Sequence, residues 1–367
     1  MKHINCSGTR TEVSRSTSSN PPNAQAFSLS QIGLQHGAAA KTEIERGLRF
    51  YGVFFQKTAQ FSWAQVCDTA AKFEPLLSSH WPDYCTEMKG VAKGADVPYL
   101  SILALNVRTE IAFGLARDGC TAVFWKTETS CFLAQNWDWQ EEQQMNLINL
   151  NISQEGKPAI SMITEAGIIG KIGLNSRGVG VCLNAIRAQG VDFQKLPCHL
   201  ALRTCLESTS TEEAVVALKK AGVASSSHLL VADSESAIGL ECSHLAIVEL
   251  TMEQGIITHT NHYIKPHQGV EDLMALKDSP TRFERIDQLV REQKERLQET
   301  GTLKLEDIRS MLKDEENFPT AICRSKTNDS SITTLFSIAM DLKNRRAEVV
   351  TGKPSSEAAM LYLVPRE

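Results

Sequence analysis

Residues 114–125 read GLARDGCTAVFW, and the fold turns on how this stretch divides. A helix-like run ends at Asp118-Gly119. A strand-like run of apolar and β-branched residues starts directly after Cys120. Upstream, residues 38–115 carry apolar residues at helical spacing, as in GAAAKTEIERGLRFYGVFF (37–55). Pro82 marks the start of a further helix, Gly90 and Gly94 weaken its end, and Asp96-Val97-Pro98 opens the next. Downstream the pattern changes to short strand-like runs: CTAVFW, SCFLAQNWDW, NLINLNIS and PAISMIT. Two more runs flank Asn175-Ser176-Arg177-Gly178, a hairpin signal. Helices return over 197–222, with Ser210 and Glu213 spaced as a capping box. A later helix is expected from Ser279-Pro280, with Ser279 as cap. Helices, strands, helices and strands in that order give an α+β fold rather than a doubly wound parallel sheet.

The composition is that of a globular protein: 367 residues, 42% hydrophobic, 22% charged, net charge −5. That balance favours neither nucleic acid nor an anionic membrane surface. The cluster at 343–346, Lys-Asn-Arg-Arg, reads as a solvated turn. No run of about 18 apolar residues is present, so no membrane span is expected. The ten cysteines form neither a CxxC pair nor a zinc-spaced set. With no signal peptide and no terminal peroxisomal tripeptide, a cytoplasmic protein with reduced thiols is expected. No metal or bound cofactor is implied. Residues 13–31, rich in Ser, Asn and Pro, read as a disordered insertion or as an unspliced intron carried into the coding sequence.

A Gly-Cys pair alone is more often a buried structural thiol than a reactive one. The chemistry open to Cys120 is nevertheless specific. A thiol needs a lowered pKa or a nearby base to act as a nucleophile. One route is a Cys–His pairing with His228, His259 or His262. The other is cleavage of the Gly119–Cys120 bond, which gives Cys120 a free α-amine as its own base, the N-terminal-nucleophile form of covalent catalysis. Asp138, in NWDW (136–139), should sit on the return strand at the nucleophile's end of a hairpin. Asn261, in HTNHY (259–263), follows a strand-like run and suits an oxyanion-hole donor.

Five blocks in this order resemble the fungal acyl-coenzyme A:6-aminopenicillanic acid acyltransferase (isopenicillin N acyltransferase) family. They are Arg117-Asp118-Gly119-Cys120-Thr121, Gln135-Asn136-Trp137-Asp138, the run TEAGIIGK ending at Lys171, Gly239-Leu240-Glu241 and His259-Thr260-Asn261-His262. The likeness extends to HGAAAK (36–41) and LNVRTEIAFGL (105–115). It implies a four-layer αββα N-terminal-nucleophile hydrolase fold, made as one precursor. Residues 1–119 would become an α subunit and residues 120–367 a β subunit, paired as a heterodimer within one domain. Carried over, Cys120 is the nucleophile, Gly119 precedes the scissile bond, Asp138 assists, Asn261 fills the oxyanion hole, and Ser243 and Ser330 bind substrate. The implied activity is acyl exchange on isopenicillin N or 6-aminopenicillanic acid with acyl-CoA as substrate, through a Cys thioester. The alternatives are amide hydrolysis of other N-acyl or peptide substrates, or a poorly active paralogue. Two departures point to a paralogue: Ser331 stands where the family has arginine, and the peroxisomal address is missing. Excision of residues 13–31 would join Glu12 to Ile32-Gly33, as the family sequence runs.

Overall fold

The computed structural model describes residues 1–8, 24–111, 119–273, 277–356 and 358–366. The chain opens with a strand, β1 (Lys2–Gly8), and a helical block. The block comprises α1 (Ala24–Ala39), α2 (Lys41–Ala59), α3 (Trp63–Ala71), α4 (Glu74–His80), α5 (Pro82–Ala95), α6 (Tyr99–Asn106) and α7 (Arg108–Ile111). Strands follow Cys120: β2 (Thr121–Lys126), β3 (Cys131–Gln140), β4 (Leu147–Gln154), β5 (Ile160–Glu165), β6 (Ile172–Asn175) and β7 (Gly180–Ala185). Then come α8 (Cys198–Glu207), α9 (Thr211–Ala221), β8 (Ser227–Ala232), β9 (Ala237–Cys242), β10 (Ile247–Thr251) and β11 (Ile256–His259). The chain closes with α10 (Ser279–Thr300), α11 (Leu305–Leu312), β12 (Ile332–Asp341), β13 (Arg346–Thr351) and β14 (Met360–Leu363).

Two sheets result. The larger has the order β1-β4-β5-β6-β7-β8-β9-β10, and the smaller β11-β2-β3-β12-β13-β14. Among the ladders of the described strands, β1–β4 is parallel and the others are antiparallel. Alternation along β2 shows how the layers stack. Ala122 and Phe124 face the main core between the sheets, with Leu133, Phe336 and Met340. Leu133 and Met340 close directly on Gly180 of the larger sheet. Val123 and Trp125 face the other way, onto Ile286 and Val290 of α10 and Ile308 and Met311 of α11. Because both faces of β2 are covered, its residues read as a continuous apolar run rather than an alternating one. Helices α8 and α9 cover the far side of the larger sheet, and α1 packs on β1 and β4. The order is helices, sheet, sheet, helices: the α+β, four-layer αββα arrangement.

Several expectations change. Residues 13–23 lie outside the described residues, but residues 24–31 are not an unstructured loop; they form the first half of α1, and Leu29 is fully buried. Gly90 and Gly94 do not weaken α5, which runs on to Ala95. They form a seam with Gly33 and Gly37 of α1, where an added Cβ would fall 2.1–2.5 Å from the facing backbone. Ser210 accepts the Glu213 N–H, but the Glu213 carboxylate turns back to Thr209 rather than completing the box. The residue before α10 is Asp278, not Ser279. All ten cysteines are free thiols, and nine are buried.

Candidate active site

Cys120 stands immediately before β2 and is fully buried in the intact chain. In the β2–β3 hairpin Thr121 pairs with Asn136. Asp138, two residues further along β3, therefore reaches the Cys120 end of the ladder, and its carbonyl oxygen lies 4.0 Å from Cys120 Sγ. The Asp138 carboxyl is fully buried. Its Oδ1 accepts from Thr334 Oγ1 at 2.7 Å. Its Oδ2 lies 3.4 Å from Arg324 Nε in a misaligned contact that leaves both atoms without a hydrogen bond. Burial pushes this carboxyl up to about 7, against the pull of Arg324 and Arg282.

Arg324 is anchored by β12: its N–H donates to Thr334 Oγ1 at 3.0 Å, and its carbonyl accepts from Thr333 Oγ1 at 3.1 Å. Its guanidinium pairs with Asp278 and crosses Gly119. A Cβ at residue 119 would fall 2.4 Å from Arg324 Nε. Glycine is thus required there by close approach of a buried guanidinium, a reason the sequence alone does not supply.

Arg282, on α10, joins the remaining parts. Nη1 donates to the Cys120 carbonyl at 2.7 Å and to Thr121 Oγ1 at 3.0 Å. Nη2 donates to Asn261 Oδ1 at 2.9 Å, and Nε to Asp278 Oδ2 at 2.9 Å. One buried guanidinium therefore spans the Cys120 backbone and the candidate oxyanion donor. With its oxygen fixed by Arg282, the Asn261 amide must present its NH₂ elsewhere. In the intact chain Nδ2 donates to the Ala185 carbonyl at 2.9 Å. Ser279, expected as a helix cap, instead turns into the site and accepts the Asn261 N–H at 2.7 Å.

Glu241, on β9, clamps the chain on both sides of Asn261. It accepts from His259 Nε2 at 3.0 Å on one side, and from the Ile264 and Lys265 N–H groups at 2.5 and 3.1 Å on the other. Burial raises its pKa, but the His259 hydrogen bond and charge and these two amides outweigh burial and hold it below the usual range. The histidines are committed elsewhere than to a Cys–His pair. His259 Nδ1 faces the Thr260 carbonyl at 2.8 Å, His228 Nδ1 faces Asn184 at 3.1 Å, and His262 Nδ1 faces Ser279 Oγ at 2.9 Å. His228 stacks on His259 with ring centroids 3.6 Å apart, and burial plus the neighbouring His259 push its pKa well down.

The structure brings Gly119, Cys120, Asp138 and Asn261 together. The hydroxyls of Ser243 and Ser330 are taken up locally. Ser243 Oγ closes the β9–β10 turn, donating to Ala246 O at 3.1 Å. Ser330 Oγ accepts from the Ile332 N–H at 3.4 Å, in the loop that leads into β12. Ser331, where arginine was expected, bonds to Gln140. The guanidinium groups next to Gly119 and Cys120 come from Arg282 and Arg324, which sequence reading missed. The TEAGIIGK block builds a second buried network. Glu165 accepts from Arg108 Nη2 at 2.8 Å, Lys171 Nζ at 2.5 Å and the Tyr51 hydroxyl. Lys171 Nζ also lies 3.8 Å above the centre of the Trp137 ring. Among the described residues no group of three or more His, Cys, Asp or Glu is placed to hold a metal ion, and no helix is long and apolar enough to cross a membrane.

A cysteine behind a glycine at a strand start, a buried acid on the paired strand and an asparagine amide beyond a third strand are thus brought together in an αββα, α+β protein. A model of the family described as acyl-coenzyme A:6-aminopenicillanic acid acyl-transferase matches residues 125–356. The 40 kDa form of acyl-coenzyme A:6-aminopenicillanic-acid-acyltransferase from Emericella nidulans is 38% identical over 363 residues, covering 97% of this chain and 94% of the relative. The chain belongs to this acyl-transferase family. Similar solved structures include a conjugated bile acid hydrolase from Clostridium perfringens, with TM-score 0.49 and 14% identity over 67% of this chain and 92% of that one. A penicillin V acylase from Agrobacterium tumefaciens has TM-score 0.40 and 11% identity over 67% and 86% of the two chains.

Proposed function

We propose that this chain is a self-processing acyltransferase that acylates 6-aminopenicillanic acid, or exchanges the side chain of isopenicillin N, using an acyl-CoA donor. In the first stage the Cys120 thiol attacks the Gly119 carbonyl carbon. The acyl group passes from nitrogen to sulfur, and water then hydrolyses the thioester, leaving a Gly119 carboxylate and a free Cys120 amine and thiol. The cut yields an α piece ending at Gly119 and a β piece beginning at Cys120, held as a heterodimer. In the second stage the thiol attacks the donor carbonyl and its proton passes to the new α-amine. The Asn261 amide stabilises the oxyanion, coenzyme A leaves as a thiol, and the β-lactam amine takes the acyl group from sulfur. Acyl-CoA enters as a substrate and no bound cofactor is needed.

The observation that carries this reading is Arg282, which holds the Cys120 carbonyl and the Asn261 amide oxygen in one fork. Burial of Cys120 in the intact chain makes cleavage a precondition for meeting substrate. Asp138, titrating near 7, suits proton transfer at neutral pH.

The test is the intact mass of purified protein beside a Cys120→Ala variant, followed by assay of 6-aminopenicillanic acid acylation. Two fragments meeting at residues 119/120 in the wild type, and one chain in the variant, are expected. A wild type that stays in one piece would overturn the proposal. Cleaved protein that passes acyl groups only to water would be an amidohydrolase.

A further inference from the structure

We propose that a basic hollow beside Ser243 receives the phosphorylated nucleotide end of the acyl-CoA donor. This rests on the acyltransferase reading and adds where its donor docks. The hollow, about 520 Å³, lies between the end of α9 and the β9–β10 turn, and its lining includes Ser243, Lys195, Lys219 and Lys220. Three cations face a single lining carboxylate, Asp192, which lies 3.6 Å from Lys195. Lys219 reaches Glu249 at the margin. The excess is positive, as clustered phosphates require.

Lys195 is built into place rather than left on the surface. Its Nζ donates to the His244 carbonyl, and its stem crosses Gly222, where φ is +65° and an added Cβ would fall 2.8 Å from Lys195 Cδ. Lys219 and Lys220 occupy the last turn of α9, where the helix dipole favours cations. Leu245, 53% exposed at the rim, offers apolar surface to an adenine ring.

The position relative to the site follows from sheet register. Ala185, whose carbonyl takes the Asn261 amide, pairs with Ser227, and Ser227 pairs with Cys242. Two strand spacings separate Ala185 from Cys242, about 10 Å. Ser243 comes next in the chain. Tyr263, two residues beyond Asn261, bridges the interval by donating its hydroxyl to the Cys242 carbonyl at 2.8 Å. The hollow and Asn261 thus lie at one end of the larger sheet, and Arg282 ties Asn261 to the Cys120 carbonyl. The pantetheine arm, which holds a thioester away from its phosphates, would span this interval.

The probe is free coenzyme A, titrated calorimetrically into wild-type protein and a Lys219→Glu/Lys220→Glu variant. Both lysines are exposed, so the variant should fold, and an unchanged melting temperature verifies it. Saturable binding weakened about tenfold or more in the variant is expected, as is weaker wild-type binding with added salt and with dephospho-coenzyme A. No binding to the wild type, or equal binding to both proteins, would overturn the proposal. Acyl transfer is then compared for an acyl-CoA and the matching N-acetylcysteamine thioester, which lacks the nucleotide. The variant should raise KM for the first donor alone; equal changes for both would overturn the docking site. Binding of coenzyme A without transfer from either donor would break the acyltransferase reading while leaving the hollow standing.

Discussion

Two buried carboxylates, Glu165 and Asp138, sit on different sheets and differ in how completely their oxygens are used. Glu165 accepts from Arg108, Lys171 and Tyr51. Burial alone would raise its pKa, but the two cations hold it far below the carboxylate range. Asp138 has one hydrogen-bonded oxygen and one that meets Arg324 without alignment, and burial wins, raising it to about 7. Both groups have cations nearby, but for Glu165 their charge and the hydrogen bonds together outweigh burial, whereas for Asp138 burial, helped by the neighbouring Asp278 carboxylate, prevails. The saturated network fastens helix to sheet. The unsaturated one holds a carboxyl that burial pushes up to about 7, next to Cys120.

The largest effect should come from breaking the saturated network. Glu165→Ala leaves Arg108 and Lys171 buried without this carboxylate and should cost about 3–5 kcal/mol. Chemical denaturation of the purified variant would measure it; a loss below about 1 kcal/mol would mean that the network is only decorative. Next comes Asp138→Asn, which should slow self-cleavage by about 10²–10⁴-fold, followed by gel or mass analysis over time. The same substitution in a Cys120→Ala background should stabilise the uncut chain at alkaline pH. A carboxyl raised to about 7 binds its proton more tightly when folded. Its contribution is complete below the ordinary aspartate range and is lost as pH rises through 7. The gain in melting temperature should therefore be present at pH 8 and absent near pH 4; an equal gain at both would refute the raised pKa. The smallest effect belongs to Gly119→Ala. Its methyl must displace the Arg324 guanidinium, at a cost of about 1–3 kcal/mol. Cleavage should slow while acyl transfer by molecules already cut is unchanged, because residue 119 is no longer joined to the nucleophile.

Much of this site was legible in the chain. The switch from helical spacing to strand runs at Cys120 located the hairpin, and the hairpin's closure placed Asp138 at its open end. The strand-like run before residue 259 placed Asn261. What escaped reading was long-range or weakly patterned. Arg282 and Arg324 lie more than 160 residues beyond Cys120, on segments whose local pattern says only helix and loop. Ser279 carried a cap signal, but tertiary contact with Asn261 claimed its hydroxyl. β1 is an edge strand with little apolar content and β14 an edge strand of four residues, so their ladders rather than their composition define them. The start of α1 lies in a Ser- and Pro-rich stretch that argues for a loop, yet it is helical because its glycine seam docks against α5.

The parallel pairing of β1 with β4 has a further consequence. It places the first strand of the chain in the same sheet as strands that follow residue 120, while α1 packs on the same edge and α5 packs on α1. Cutting after Gly119 would leave the pieces interleaved, so the native state would barely register the loss of one peptide bond. The unfolded state would register it fully. Two chains would then have to find each other, assembly would become second order in concentration, and a cleaved protein would form readily once, from its precursor, and return poorly after it is lost.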